Sequence, residues 1–365
     1  MRYFDHNATT PVAPEVLAAF SRACVETFGN PSSIHTAGQQ ARHALEAARE
    51  SLARMLGCAP REVVFTSGGT ESDNLAILGA PDGHMITTAI EHPAVLAAAA
   101  LLEATVVRVD GSGRVDPDEI RRALRPDTKL ISVMHANNET GVLQPVEEIA
   151  AIAREAGALF HSDGVQAAGR IPVNVRALGV DLYTVSGHKF NAPKGIGALF
   201  VREGVRLRPR QVGGRHERER RAGTENVPGA VAMAAAAELP RPETGPLRDR
   251  FEQMVLERIP DVVIHGRHVP RVPNTSSIAF AGIEAEALVI ALDLAGFAVS
   301  TGAACSSGAT RPSHVLEAMG VPAALARATI RVSMGRGTTL EDVSALVEAL
   351  EAAVARLRKL SPAYA

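Results

Sequence analysis

G-A-L-F-H-S-D-G-V-Q at residues 157–166 and D-L-Y-T-V-S-G-H-K at 181–189 decide the fold between them. Each begins as a short apolar run that reads as a strand buried on both faces, and each ends abruptly in polar side chains. Asp163 and Gln166 follow the first run, and Ser186, His188 and Lys189 follow the second. In open α/β sheets ligands gather at the carboxyl ends of parallel strands, so the position of these groups matters as much as their identity.

Five further runs of the same kind lie around this pair: E-V-V-F-T at 62–66, H-M-I-T-T at 84–88, A-T-V-V-R-V from 104, K-L-I-S-V-M from 129 and G-A-L-F-V from 197. Stretches with helical apolar spacing, such as 92–102 and 145–156, separate most of them. The alternation predicts an α/β fold, with a largely parallel sheet covered by helices. After about residue 240, R-P-E-T-G-P concentrates turn formers and marks a boundary. Beyond it, strands near 275–280, 297–300 and 328–333 and helices at 284–294 and 339–358 predict a smaller C-terminal α+β unit. The expected organisation is an N-terminal segment 1–14 associating with the small domain, a large domain 15–245 and a small domain 246–365 carrying the Cys305 loop.

With 365 residues, 46% of them hydrophobic, the chain can bury a large core. A formal net charge of -2 gives no basic excess for nucleic acid or an acidic membrane surface. No apolar run is long enough to span a bilayer and no leader pattern opens the chain, so a cytoplasmic protein is expected. Three dispersed cysteines, Cys24, Cys58 and Cys305, argue against a disulfide framework or a structural zinc site.

The residues at the strand ends suggest a carbonyl cofactor. An amine such as Lys189 forms a Schiff base with an aldehyde, and a carboxylate such as Asp163 keeps a pyridine nitrogen protonated so that the ring draws electrons. Pyridoxal phosphate is the first candidate, with Gln166 on its ring hydroxyl. The alternative for Asp163 is simply to cap a helix. Ser67-Gly68-Gly69-Thr70 runs into a helical stretch where backbone N–H groups favour phosphate. Alone it is also an ordinary strand-to-helix turn, with Thr70 capping the helix and Asp73 as its capping-box partner. Glu91-His92-Pro93 and Asn137-Asn138-Glu139 load two more strand ends, His92 being able to stack on a ring and move protons. Arg331, inside an apolar strand, needs a carboxylate, either a substrate's or an internal Asp or Glu. Cys305 lies among small residues in S-T-G-A-A-C-S-S-G, which suits a thiol on a mobile loop. Cys24 and Cys58 read as buried and inert. The mixed charges of 213–226 read as a solvated face.

In order along the chain, F-D-H-N-A-T-T-P (4–11), G-N-P-S-S-I-H (29–35), F-T-S-G-G-T-E-S-D-N-L-A-I (65–77), E-H-P-A-V (91–95), N-N-E-T-G (137–141), S-G-H-K (186–189), P-K-G-I-G-A-L (193–199), R-A-G-T-E-N (221–226), S-T-G-A-A-C-S-S-G (300–308) and I-R-V-S-M-G-R (330–336) resemble the cysteine desulfurases of NifS and IscS type, within the class V aminotransferase family. The resemblance implies the pyridoxal-phosphate-dependent transferase fold type I, whose large domain holds a mostly parallel seven-stranded sheet. It implies that Lys189 holds the cofactor, that His92 stacks on its ring, and that Asn138 lies near the ring hydroxyl and the substrate. Gly69, Thr70, Ser186 and His188 would hold the phosphate, joined by Thr224 from the other subunit of a homodimer. Arg331 would bind the substrate carboxylate and Cys305 would be the nucleophile. The implied reaction turns L-cysteine into L-alanine and leaves sulfane sulfur on Cys305 as a persulfide, for a sulfur-acceptor protein such as an iron–sulfur scaffold. Ala192, where many relatives have glycine, resembles the nitrogen-fixation branch. The run around Cys305 matches the long-loop subgroup, and the end at K-L-S-P-A-Y-A lacks the longer tail by which some members engage a scaffold. An aminotransferase or a β-eliminating lyase on the same fold, selenocysteine lyase included, would need Lys189 but not Cys305; a sulfur-relay protein would need only Cys305.

Overall fold

All seven apolar runs become neighbours in one sheet. A computed structural model describes residues 1–302 and 313–360. After a two-residue strand β1 (Arg2–Tyr3), the sheet is built from β2 (Val63–Thr66), β3 (His84–Thr88), β4 (Ala104–Val107), β5 (Thr128–Ser132), β6 (Leu159–Asp163), β7 (Leu182–Ser186) and β8 (Gly197–Val201), in the order β2-β8-β7-β6-β5-β3-β4. Strands β3 to β7 pair in parallel, while β8 is antiparallel to both β2 and β7. Six strands therefore point their carboxyl ends at one edge.

Successive residues feed opposite faces, as period-2 geometry requires. Phe65, Ile86, Ile131, Tyr183 and Phe200 join the core under the long helices Pro14–Glu26, Thr36–Leu56 and Val227–Glu238. Their neighbours Val64, Met85, Leu130, Leu182 and Leu199 join a second core with the helices Gly69–Gly79 and Pro93–Ala99. Burial on both sides explains why these strands read as continuous apolar runs. Gly197 is required for the close pairing of β8 with the turn after β2, because a Cβ there would lie 2.6 Å from the Gly68 Cα.

The later strands are β9 (Val262–Ile264), β10 (Thr275–Phe280), β11 (Phe297–Ala298), β12 (Ser300–Thr301) and β13 (Thr329–Ser333). Four form an antiparallel sheet, β12-β13-β10-β9, and β1 pairs in parallel with β11. Phe4 joins Phe251, Phe280, Leu288 and Ile330 in the core on this sheet, alongside the helices Gly245–Arg258 and Leu340–Leu360. Pro246 opens the first of these helices from its first turn, where its missing N–H costs nothing. Among the described residues no helix is long and apolar enough to cross a membrane.

Cys24 departs from expectation: it sits on the solvent side of its helix. Cys58 is half-buried, and burial beside the Glu62 carboxylate pushes its thiol up to about 12, which keeps it protonated and unreactive. Cys305 lies outside the described residues.

A buried ion pair locks the mixed-charge stretch to the sheet. Arg49 donates from Nη1 and Nη2 to the two carboxylate oxygens of Glu217 at 2.7 and 2.8 Å, and Glu217 also accepts the Phe65 N–H at 2.9 Å. Glu217 is buried rather than solvated, with its backbone at φ 47°. Truncating Arg49 strands that carboxylate, so Arg49→Ala is expected to lower unfolding free energy by about 3–5 kcal/mol, read from urea midpoints.

Candidate active site

The shared edge of the sheet frames a cavity of about 360 Å³ whose wall includes Gly69, Thr70, His92, Asn138, Asp163, Gln166, Ser186, His188, Lys189 and Arg331. Each strand end delivers its part: β2 runs into Gly69 and Thr70, β3 into His92, β5 into Asn138, β6 ends on Asp163, and β7 ends on Ser186 just before Lys189. The chain goes outward from β3 to β4 and then returns to place β5 on the other side of β3, so the cavity lies at a topological switch point. Of the residues singled out in the sequence, Thr224 is exposed and absent from the wall, and Cys305 is outside the described residues. A larger open groove, about 630 Å³, lies beside edge strand β4. Its Arg122 is paired with Glu119 and Asp116, and it gathers no comparable set.

Lys189 Nζ donates to the backbone carbonyls of Asn7 at 2.6 Å and Ala8 at 2.9 Å. The N-terminal segment thus crosses the site as a strap. Gln166 Nε2 donates to the same Asn7 carbonyl at 3.1 Å, His188 Nδ1 meets Thr9 Oγ1 at 3.1 Å, and Thr10 Oγ1 donates to the His188 carbonyl at 2.8 Å. The Gln166 carbonyl oxygen accepts from Arg170. Asn7, Ala8, Asp73, Met134 and Val165 complete the wall.

Asp163 is buried, and its Oδ1 accepts the Val165 N–H at 2.9 Å in a turn rather than capping a helix. Burial raises its pKa, while His92, that N–H and Lys189 pull it back. His92 begins the helix Pro93–Ala99 with its Nδ1 accepting the Ala94 N–H at 3.1 Å. It is therefore both a cap and a wall residue, with Nε2 carrying the proton of the neutral ring. Its pKa is lowered, chiefly by burial, so the neutral form prevails near pH 7. Burial also drives His188 down to about 4, helped by Lys189, Lys194 and Arg170.

Two expectations change here. Thr70 does not cap the helix Gly69–Gly79: it lies within its first turn, Gly68 is the cap, and Glu71 Oε2 accepts the Ser67 N–H at 2.7 Å. Asp73 is no capping partner but a fully buried acid facing the cavity, with Oδ1 3.6 Å from His161 Nε2. Burial, and then the charge of Asp163, hold it protonated well above the usual range. Arg331 resolves the alternative left open for it. It is 2% exposed, and donates from Nη2 to Asp5 Oδ1 at 2.7 Å and from Nη1 to the Asn138 carbonyl at 3.0 Å. An internal carboxylate is its partner, yet the guanidinium still faces the cavity and its Nε has no partner among the described residues.

The sequence profile of the family Aminotransferase class-V matches residues 2–346. A cysteine desulfurase of Gluconacetobacter diazotrophicus is 49% identical over 99% of this chain and 95% of its own. The chain belongs to the cysteine desulfurases of the class-V aminotransferase family. Solved structures agree with this family in fold: a NifS-like protein superimposes with a TM-score of 0.90 at 36% identity, covering 98% of this chain and all of its own. SspA, solved in complex with cysteine, gives a TM-score of 0.85 at 34% identity over 93% of this chain. The cysteine desulfurases are a pyridoxal-phosphate-dependent family, and the wall suits such a group. An amine stands at Lys189, a buried carboxylate at Asp163, and N–H and hydroxyl donors at the helix start and Ser186. Gly69 leaves space that a Cβ, 3.0 Å from Val165 Cγ2, would crowd.

Next to His92 in the chain stands a third buried acid, after Asp163 and Asp73. Glu91 accepts from Thr88 Oγ1 at 2.6 Å and from the Met134 N–H at 3.0 Å, and burial pushes it up to about 8 despite both bonds. In the unfolded chain a glutamate ionises near pH 4.3, so above that value unfolding releases a proton that the native state retains. Its contribution to stability is complete at lower pH and lost as pH rises through 8. We expect Glu91→Gln to match the parent below about pH 4 and to exceed it progressively towards pH 8, by up to roughly 1.4 kcal/mol per pH unit, in paired urea titrations.

Proposed function

We propose that this cavity holds pyridoxal phosphate and takes L-cysteine, which leaves as L-alanine after its sulfur passes to Cys305 as a persulfide. The observation that carries the reading is the meeting of the Lys189 amine, the Asp163 carboxylate, the His92 imidazole and the Arg331 guanidinium on one wall. When bound, pyridoxal phosphate supplies an aldehyde for an amine and a ring that withdraws electrons from Cα. Lys189 would anchor that aldehyde in the resting protein and, once released, take the Cα proton. Asp163 would hold a proton on the ring nitrogen, and His92 would cover the ring. Gln166 and Asn138 would flank the ring hydroxyl. The start of the helix Gly69–Gly79, with Thr70, Ser186 and His188, would receive the phosphate.

Arg331, buried and oriented by Asp5 and Asn138, would pair with the substrate carboxylate through its remaining N–H groups. In sum, L-cysteine and the Cys305 thiol give L-alanine and the Cys305 persulfide: the Cβ–S bond breaks, an S–S bond forms, and the methyl carbon gains a proton. SspA, a structural neighbour solved with cysteine, supports this choice of substrate. Exposed Thr224 and the exposed apolar side chains of Leu17, Val25, Phe28 and Ile34 support pairing with a second copy, which would bring Thr224 to the phosphate of the other subunit. Such a cytoplasmic homodimer would serve iron–sulfur cluster assembly or other sulfur trafficking through an acceptor protein.

Cys305→Ser is expected to bind cofactor, seen as a visible absorption band, but to make no persulfide from cysteine. Sulfane sulfur and alanine released at the parental rate would rule out the nucleophile assignment. A colourless protein that gains no band with pyridoxal phosphate would rule out the cofactor.

A further inference from the structure

Glu139 belongs to N-N-E-T-G, yet its carboxylate has no part in the chemistry assigned above. It is 3% exposed, on a loop pinned by its neighbour: Asn137 Oδ1 accepts the N–H groups of Glu139 at 2.9 Å and Thr140 at 3.0 Å, while Asn137 Nδ2 donates to the Ile90 carbonyl at 3.0 Å. The next residue back, Asn138, lines the cavity.

The Glu139 carboxylate turns towards two residues far off in sequence. Ser313 Oγ donates to Glu139 Oε2 in a short hydrogen bond, and also accepts the Leu316 N–H at 3.2 Å to cap the helix His314–Ala318. Gly302, next after β12, packs against the same oxygen so closely that a Cβ there would lie 2.9 Å from it. One carboxylate oxygen therefore bonds Ser313 on one flank of the segment 303–312, in which Cys305 lies, and stands close beside Gly302 on the other. The flanks are tied elsewhere as well: Ser300 is in register with Arg331, and His314 Nε2 lies 3.0 Å from the Glu91 carbonyl. Burial raises Glu139 to about 7, opposed by Ser313 and Arg331, as expected for a carboxyl retained in the interior for its contacts.

We propose that Glu139 is a positioning residue for sulfur transfer, its carboxylate tying Ser313 to the loop that lines the substrate cavity and seating Gly302 against the same oxygen. The inference rests on Cys305 being the nucleophile. A thiol that must meet a substrate sulfur depends on where its segment is anchored, whereas cofactor and cysteine binding do not.

The test uses the protein loaded with pyridoxal phosphate, mixed with L-cysteine for a single turnover, with persulfide on Cys305 read by peptide mass spectrometry. Glu139→Ala and Ser313→Ala should each slow persulfide formation about tenfold or more, the range of a hydrogen bond to a charged group. Cofactor absorbance should be unchanged and cysteine affinity should stay within about twofold, since neither is held by this contact. The double variant should be no slower than the slower single one, because both remove the same contact. Glu139→Gln, which keeps an acceptor for Ser313, should recover most of the rate. Parental rates in Ser313→Ala, or effects of the two substitutions that add in full, would overturn the tether; Ser313→Ala decides if Glu139→Ala does not fold. Cys305→Ser, run alongside, separates the two readings. If it makes sulfane sulfur at the parental rate the nucleophile assignment fails, and if it is silent while the tether variants run normally only the tether fails.

Discussion

Lys189→Ala is expected to reduce alanine formation from cysteine by about 10³-fold or more, because on the proposed reading one amine would serve as both covalent anchor and proton carrier; positioned acid–base groups alone contribute about 10²–10⁴. The other nitrogens on the wall cannot replace it. Arg331 is committed to Asp5 and Asn138, and a guanidinium stays protonated. His92 spends Nδ1 on the Ala94 N–H. Lys189→Arg makes the decisive comparison. It keeps a cation able to donate to the Asn7 and Ala8 carbonyls, and so keeps the strap in place, but it cannot condense with an aldehyde. Both variants should be silent, with thermal midpoints close to the parent for Lys189→Arg. Turnover above a few per cent in Lys189→Arg would remove Lys189 from the chemistry.

The inner strands of the large sheet are legible because burial on both faces forces an uninterrupted apolar run with an abrupt polar end, whereas edge strand β4 keeps its apolar run although Val106 is exposed. What such a run cannot encode is direction. G-A-L-F-V reads the same whether β8 lies parallel or antiparallel, and it turned out to be the reversed strand. β1 and β9, of two and three residues, are too short for any periodicity; β1 exists through pairing with distant β11, and β9 through pairing with the following strand β10. At the site, residues that act through side chains at strand ends were readable, whereas those that act through the backbone were not. Asn7 and Ala8 offer carbonyls to Lys189, and a carbonyl has no signature in residue type. Asp73 was misread for a related reason. Local spacing suggested a capping box, but the helix turns that residue inward to a wall completed by Asp163, ninety positions away in the chain. Asp5 finds Arg331 across almost the whole chain, a pairing that no local pattern announces.

Asp163→Asn is expected to change apoprotein stability and turnover in opposite directions. Amide and carboxylate have nearly the same shape, and the amide oxygen can still accept the Val165 N–H, so the turn after β6 should persist. What disappears is a buried negative charge. Without cofactor that charge is a liability: burial raises the Asp163 pKa, and the acid of Asp73 beside it remains protonated partly because Asp163 is there. The apoprotein should therefore melt at a higher temperature in the variant near neutral pH. With cofactor bound, the carboxylate would be what stabilises a proton on the ring nitrogen, and an amide is a poor substitute for that charge. Turnover should fall by about 10²–10³-fold, the scale of losing one preorganised electrostatic partner. Loading through Lys189 should survive, so the absorption band remains and the loss appears in kcat rather than in cofactor content. A variant that loads normally and turns over at the parental rate would mean that Asp163 only shapes the turn. A variant that does not load would mean that the carboxylate acts in binding rather than in chemistry.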